Sequence, residues 1–378
     1  MFLIAVLTVA VLAATLIDFG VGHRRIRPLA SVTPVRTGPR VSVIVAARNE
    51  ERNIEEAAQS LLRLEYAPLE IIVVNDRSTD ATETILDRLE RQHAGFHVVH
   101  VKELPEGWLG KNHALHRGAS IASGELFLFT DADVVLEPTS LGRAVGFMEQ
   151  QRLDHVTTIP QANVRGVLLS AFVAAFGVFF SVYARPWKAR DARSRAHIGV
   201  GAFNLVRTAA YRTIGGHQAI AMRPDDDMKL GKLLKKFQFR QNVTYGRGFV
   251  TLEWYASLSD MVDGLMKNAF AGVNYSVWAL IGATVGLLVT NVWPFIAVFA
   301  TTGATRIPYA LGVLLIVLIF GTHAHYAGTP FRYVVGYPFA ALLFVYVMWR
   351  SAVLALVRGT VTWRGTAYPL SQLRSNRI

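Results

Sequence analysis

The chain has 378 residues, enough for two or three structural units. Hydrophobic residues make up 52% and charged residues 17%, which excludes a disordered chain and argues against a purely soluble one. Lys and Arg outnumber Asp and Glu by 39 to 27, for a net charge of +12, and there is no cysteine, so disulfide scaffolds, thiolate metal centres and cysteine nucleophiles are excluded.

The charge is segregated along the chain. Of the 27 acids, 26 lie between Glu50 and Asp263; Asp18 alone precedes them and none follows, whereas Lys267, Arg306, Arg332, Arg350, Arg358, Arg364, Arg374 and Arg377 continue to the end. A polar middle between acid-poor apolar ends is the pattern of a membrane-anchored domain. Residues 2–17 are apolar apart from Thr8 and Thr15, and His23-Arg24-Arg25-Ile26-Arg27 follows them. A signal peptide carries its positive charges before the apolar run, so segment 1–22 reads as a transmembrane anchor, with a cleaved signal as the alternative. The positive-inside rule then puts residue 1 outside and the middle in the cytoplasm.

The middle alternates strand and helix. Val41–Ala47 is a near-continuous β-type run, followed by the helical stripe Ile54, Ala57, Ala58, Leu61 and Leu62. Glu70–Asn75 predicts a second strand, with a capped helix after Thr79-Asp80; His97–Val101 a third, with a helix over Lys111–Ala122; Glu125–Thr130 a fourth, running into Asp131. This βα order implies an α/β fold with a mostly parallel, doubly wound sheet, whose ligands bind beyond the carboxyl ends of the strands. The polar residues there are Arg48-Asn49-Glu50, Asn75-Asp76 and Asp131-Ala132-Asp133.

Each motif has a functional and a bland reading. Asp131 and Asp133, just off a buried strand, can share a divalent ion with phosphate oxygens; a turn with solvated acids is the commoner cause of Asp-Xaa-Asp. Asp76 can accept the imide N–H of a base, or be a turn acid. Gly107-Trp-Leu-Gly-Lys111-Asn112 lacks the spacing of a Walker loop, yet Lys111 at a helix start can touch a phosphate. Asp225-Asp226-Asp227 either satisfies a helix amino end or supplies a general base whose proton affinity is raised by crowding.

Val167–Tyr183 is apolar and aromatic, reads as an interfacial helix over 165–184, and is followed by Arg185-Pro-Trp-Lys188. Segment 251–273 carries an amphipathic stripe of Leu258, Met261, Val262, Leu265, Met266 and Phe270, suited to a bilayer surface or to an ordinary core helix. Three apolar stretches follow within 274–357, namely Val277–Thr301, Ile307–Tyr326 and Val334–Val357, before a basic tail over 358–378. Three crossings from the cytoplasm would leave that tail outside, against its charge, so either the middle stretch is re-entrant or the first breaks near Pro294. His323-Ala-His325 has a metal-like spacing but no acid nearby, and a pair at a membrane interface is the better account.

The order of motifs carries more than any one of them. Ala-Arg-Asn-Glu50, Asn-Asp76-Xaa-Ser-Thr-Asp, Gly-Lys111-Asn-Xaa-Ala-Leu, Asp131-Xaa-Asp133 and Asp-Asp227-Xaa-Xaa-Leu-Gly together resemble glycosyltransferase family 2 over about residues 40–250. The Gly-Trp-Leu-Gly-Lys stretch, Gly201-Ala-Phe-Asn-Leu-Val-Arg and Ile214-Gly-Gly-His217 look most like its membrane-bound, lipid-glycosylating branch (ceramide glucosyltransferase-like, carotenoid- and hopanoid-associated members). The resemblance implies a Rossmann-like GT-A domain over 38–250 and an inverting, metal-dependent transfer of one sugar from a nucleotide-sugar donor, a UDP-sugar foremost, to a lipid hydroxyl. It implies that Ala46, Glu50, Asp76, Lys111 and Asp131 bind the nucleotide sugar, that Asp131 and Asp133 hold Mg2+ or Mn2+, and that Asp227 is the base with Asp226 beside it. The implied setting is the inner membrane, multi-pass, with the catalytic domain cytoplasmic and no nucleic-acid partner. Many membrane members also carry Gln-Xaa-Xaa-Arg-Trp on an interface helix; here the place is taken by Met266-Lys267-Asn268-Ala269-Phe270, which weakens a polysaccharide-synthase reading. Transfer to a polyprenyl phosphate is a nearer competing activity, and a non-catalytic membrane scaffold a more remote one.

Overall fold

A computed structural model describes residues 1–255 and 257–376. Arg377 of the expected basic tail and Ala256 of the expected interface segment lie outside the described residues. The chain divides into two compact units. One comprises Ile26–Asn163, Pro186–Glu253 and the chain from Ser375; the other comprises Met1–Arg25, Val164–Arg185 and Trp254–Arg374.

The first unit is built on strands β1 (Arg27–Pro28), β2 (Thr37–Ala47), β3 (Ala67–Asp76), β4 (Phe96–Val101), β5 (Leu126–Asp131), β6 (Val134–Leu136), β7 (His155–Ile159), β8 (Gln161–Asn163), β9 (Asn204–Arg207), β10 (Gln241–Tyr245) and β11 (Val250–Glu253). Eight form one sheet in the order β1-β10-β7-β9-β5-β2-β3-β4, and β6-β11-β8 form a second, smaller one. Pairing in the large sheet is parallel except at β9, which runs antiparallel between β5 and β7. The mostly parallel α/β sheet expected from the βα order is therefore present, with one reversed strand in the middle.

Alternation along the central strands explains why they read as unbroken apolar runs. Val43, Val45, Ile71, Val73 and Leu128 face one layer, packing with Ile54 and Leu61 of helix Ile54–Leu62, Leu86 of Thr82–Gln92 and Leu141 of Ser140–Gln151. Ile44, Ile72, Val74, Phe127 and Phe129 face the other, against Leu115 of Gly110–Ile121 and Leu230 and Leu234 of Asp226–Lys236. Each such side chain contributes roughly 1.5–3 kcal/mol when fully buried, so these strands leave no exposed face. Register then sets the site: Ala46 pairs with Asp131 on β5 and with Val74 on β3, so the ends of all three strands share one edge.

The second unit is helical apart from a two-stranded hairpin, β12 (Thr360–Trp363) with β13 (Thr366–Pro369). Among the described residues, five helical segments are long and apolar enough to cross a membrane, judged by length and composition: Phe2–His23, Val167–Lys188, Val277–Ala300, Gly303–Ala327 and Phe331–Arg358. The stretch Val277–Ala300 does not part at Pro294. It passes from an α-helix into a π-helical turn at Leu288–Val292 and out again at Trp293, the ring of Pro294 being accommodated by widening the turn before it. The middle stretch is one continuous helix, Arg306–Ala327. The segment Val164–Arg185, which contains the place of the 165–184 helix read within 38–250, groups with these helices and interrupts the sheet unit. Within the expected 251–273 segment, residues up to Glu253 belong to β11 and the helix is Leu258–Gly272; its Lys267 ammonium lies 4.0 Å over the ring of Trp363.

Candidate active site

The Gly110-Lys111-Asn112 motif separates into three tasks. Gly110 opens helix Gly110–Ile121 against the end of β3, where a Cβ would collide with the Asp76 carboxylate, so only glycine permits this approach. Lys111 points past β2 to the end of β5: its ammonium lies 2.7 Å from Asp131 and 3.6 Å from Asp226. Asn112 is fully buried, and its amide donates to the carbonyls of Ile220 (2.8 Å), Ala221 (3.1 Å) and Arg223 (2.9 Å). It thereby clamps the loop that delivers the three consecutive acids.

Those acids are not equivalent. Asp225 faces Arg223 through a bidentate pair (2.9 and 3.0 Å) and Lys229 at 3.2 Å, one turn along the helix, so its role is structural. Asp226 and Asp227 open helix Asp226–Lys236 and line a cleft of about 230 Å³ with Lys111, Asp131, Gly201 and His217. Two backbone N–H groups fix the Asp227 carboxylate, from Gly201 (2.8 Å) and Met228 (2.7 Å). Burial, and then the neighbouring Asp226 charge, push its pKa above the ordinary carboxylate range. Gly201 matters twice, because a Cβ there would lie 2.6 Å from the Asp131 carboxylate.

Asp131 ends β5 and Asp133 follows two residues on. Burial, Asp131 and Glu50 raise the pKa of Asp133 in that order. Among the described residues no group of three or more His, Asp or Glu side chains converges as a ready metal site; Asp131 at the strand end and Asp133 after it supply the hard carboxylate oxygens that a divalent cation takes, and are the residues that could hold one. Glu50 also donates its backbone N–H to the Thr82 hydroxyl at 2.8 Å.

Asp76 stands apart from this cluster. It is 2% exposed, paired with Arg77 through two hydrogen bonds (2.8 and 3.0 Å) and with Arg48 at 3.7 Å. The sequence marked Asp76 as a bare acceptor; the structure presents an acid already shared between two guanidinium groups. Arg77 has φ +56°, the left-handed region, which turns its side chain back onto its predecessor. Sequence reasoning gave Arg77, Gly201 and His217 no role; the glycines beside the last two were the available signal.

Lys111, Asp131, Asp226 and Asp227 thus share one cleft, Asp133 and Glu50 adjoin it through Asp131, and Ala46 is beside Asp131 in register. A parallel-rich α/β sheet with acids at its carboxyl edge, opposed by a second acid pair on a returning helix, is the plan of a GT-A glycosyltransferase. Residues 42–215 match the family model described as Glycosyl transferase family 2. Two relatives called 4,4'-diaponeurosporenoate glycosyltransferase are similar to it. The one from Staphylococcus haemolyticus is 26% identical over 62% of this chain and 62% of its own; that from Staphylococcus aureus is 26% identical over 65% and 68%. The chain thus spans about three fifths to two thirds of the length of these relatives. Among solved structures, the fold is similar to that of a mannosyltransferase from Pyrobaculum calidifontis in complex with GDP-Man and Mn2+, with a TM-score of 0.56 at 20% identity over 91% of this chain and 98% of the other.

Proposed function

We propose that the protein transfers a single sugar from a nucleotide-sugar donor to a lipid hydroxyl at the cytoplasmic membrane surface, with inversion. The observation that carries this reading is the meeting of Lys111, Asp131, Asp226 and Asp227 in one cleft at the sheet edge. Asp131 and Asp133 would hold Mg2+ or Mn2+, which when bound neutralises the leaving diphosphate; the structure of the mannosyltransferase with Mn2+ supports a divalent ion. Lys111 adds fixed positive charge on the diphosphate side. Asp227 accepts the proton of the acceptor hydroxyl as its oxygen bonds to the anomeric carbon and the bond to the nucleoside diphosphate breaks. Asp76 with Arg48 and Arg77, and Ala46 with Glu50, form the nucleotide end. A UDP-sugar is the first donor to test.

Membrane sidedness is part of the proposal. The residues flanking Val167–Ala184 lie in one sheet, β7 being bonded to both β9 and β10, so that helix begins and ends on one side of the bilayer. The carboxyl end returns to the same side, because Asn376 accepts from the Met222 N–H (3.2 Å) and donates to the Ala219 carbonyl (3.2 Å). An even number of crossings must therefore lie between Glu253 and Ser375. Helix Arg306–Ala327 runs parallel to Phe2–His23: Tyr309 donates to the Met1 carbonyl at one end, and Tyr326 stacks on His23 at 5.3 Å at the other. This supports three spans, Phe2–His23, Val277–Ala300 and Arg306–Ala327. Val167–Ala184 and Tyr337–Arg358 then lie at the cytoplasmic leaflet, which also accounts for the basic tail.

The relatives' name includes a carboxylate, diaponeurosporenoate, which favours a second reading with an acceptor already ionised; a polyprenyl phosphate shares that chemistry. Such an acceptor needs no base. Membranes incubated with labelled UDP- and GDP-sugars, followed by mass analysis of extracted lipid, test the transfer. Wild-type rates in Asp131→Ala would overturn the mechanism. Loss of transfer in Asp227→Asn supports a hydroxyl acceptor, and its retention supports the ionised one.

A further inference from the structure

The Ile214-Gly215-Gly216-His217 motif takes no part in the chemistry above, yet its histidine lines the same cleft. Gly216 has φ +53°, and a Cβ there would lie 2.5 Å from the Tyr211 ring. This close passage lets the residue after it meet the Tyr211 hydroxyl twice. The backbone N–H of His217 donates to the Tyr211 oxygen at 3.1 Å, and that oxygen lies 2.9 Å from His217 Nδ1. With its oxygen already accepting from the backbone, the Tyr211 hydroxyl is placed to give its own proton to Nδ1. That arrangement assigns the ring hydrogen to Nε2, the remaining polar atom, as the proposal below requires. The Phe129 ring, 4.7 Å away and edge-on, fixes the plane, and the side chain is 1% exposed. Burial, with Lys111 nearby, holds its pKa down to about 3, so the imidazole is neutral.

Charge in the cleft is otherwise of two kinds. Asp131, Asp226 and Asp227 only accept hydrogen bonds when ionised, and Lys111 is engaged by Asp131 and Asp226. A sugar hydroxyl both donates and accepts, and is held best between a carboxylate and a neutral N–H. We propose that His217, locked by Tyr211, is a specificity-determining residue that donates Nε2–H to one hydroxyl of the transferred sugar, which a cleft carboxylate holds from the other side. This rests on the glycosyltransferase reading and adds to it a residue that selects the sugar. A site built to pair with a hydroxyl rejects the analogue lacking it, because its own polar groups are left unpaired.

The test is calorimetric titration of the detergent-purified, Mn2+-supplemented full chain with UDP, GDP, UDP- and GDP-hexoses and the deoxy analogues of the hexose that binds. In the wild type, one deoxy position weakens binding on the order of tenfold, as loss of about 1.4 kcal/mol requires. His217→Phe binds UDP within about twofold of wild type, loses roughly tenfold for the parent UDP-hexose, and no longer distinguishes that deoxy analogue. His217→Gln, which keeps an N–H, retains part of the discrimination and serves should the Phe variant fold poorly. The 15N spectrum of labelled histidine shows the Nε2–H tautomer in the wild type and a mixture in Tyr211→Phe. Equal weakening of UDP and UDP-hexose in His217→Phe, or unchanged discrimination, overturns the sugar contact alone. A wild type that binds neither UDP- nor GDP-hexoses overturns the transferase reading itself.

Discussion

The Lys111 ammonium lies 2.7 Å from the Asp131 carboxylate. It joins the second residue of helix Gly110–Ile121 to the last residue of a buried strand, with Asp226 3.6 Å away. One cation so placed holds together acids that would otherwise repel. Lys111→Ala should lower kcat/KM for lipid glycosylation by roughly 100-fold, as loss of a fixed charge on the leaving group does. Lys111→Arg should restore part of it. Initial rates with labelled donor decide the matter.

Asp227 carries a pKa raised by burial and by Asp226. A base works only when ionised, so the rate should rise with pH through this elevated value and not through the ordinary carboxylate range near 4. Asp226→Asn removes the like charge and should move the acid limb to lower pH. A limb that stays where it was would separate the two groups.

Gly201→Ala tests the closeness of the cleft walls. Its Cβ would lie 2.6 Å from Asp131 and 3.3 Å from the Lys111 ammonium. Activity should fall by about 100-fold through misplacement of the reacting groups, while the melting temperature moves by only a few degrees.

His155 is fully buried, hydrogen-bonded to Asn204, and held down to about 4 by burial. Unfolded, it takes up a proton below about 6.5, whereas folded it refuses one until about 4. Its stabilising share is therefore complete above pH 6.5 and is lost as pH falls toward 4, at up to about 1.4 kcal/mol per pH unit. Asp133 and Asp227, whose pKa values are raised, act with the opposite sign over part of this range. The comparison must be single-site: His155→Gln should flatten the acid slope of thermal stability by that amount relative to wild type.

Membrane sidedness can be read without first removing any thiol, since the chain has no cysteine. A single cysteine at Thr302 should react with an impermeant maleimide from outside, and one at Thr329 or Ser371 only after the cytoplasmic face is opened. Labelling of Ser371→Cys from outside would refute three spans.

Legibility differed by kind of feature. The strands ending at Ala47, Asp76 and Asp131 were readable because both of their faces are buried and the sequence is apolar without interruption. The acids were readable because they break that apolarity at the strand ends. Strand β9 was not read as a strand: Asn204–Arg207 is short, and its reversal is decided by neighbours far away in sequence. The resemblance singled out Asp226 and Asp227, but the residues alone gave no physical reason to set Asp225 aside, since that depends on Arg223 folding back onto it. The apolar helices were readable by length, but how many cross depends on where Asn376 ends up, and the composition of the tail could only raise the question.

The helix Val167–Ala184 interrupts the sheet unit between β8 and β9, and this has a consequence for biogenesis. The strands made before it, β2, β3 and β5, carry Asp76 and Asp131 and can pair as soon as they leave the ribosome. Strands β9 and β10, Gly201, His217 and the acids at 226 and 227 are synthesised only afterwards. The cleft is completed only by chain that follows the apolar helix Val167–Ala184, so a chain cut short within that helix holds half of the lining.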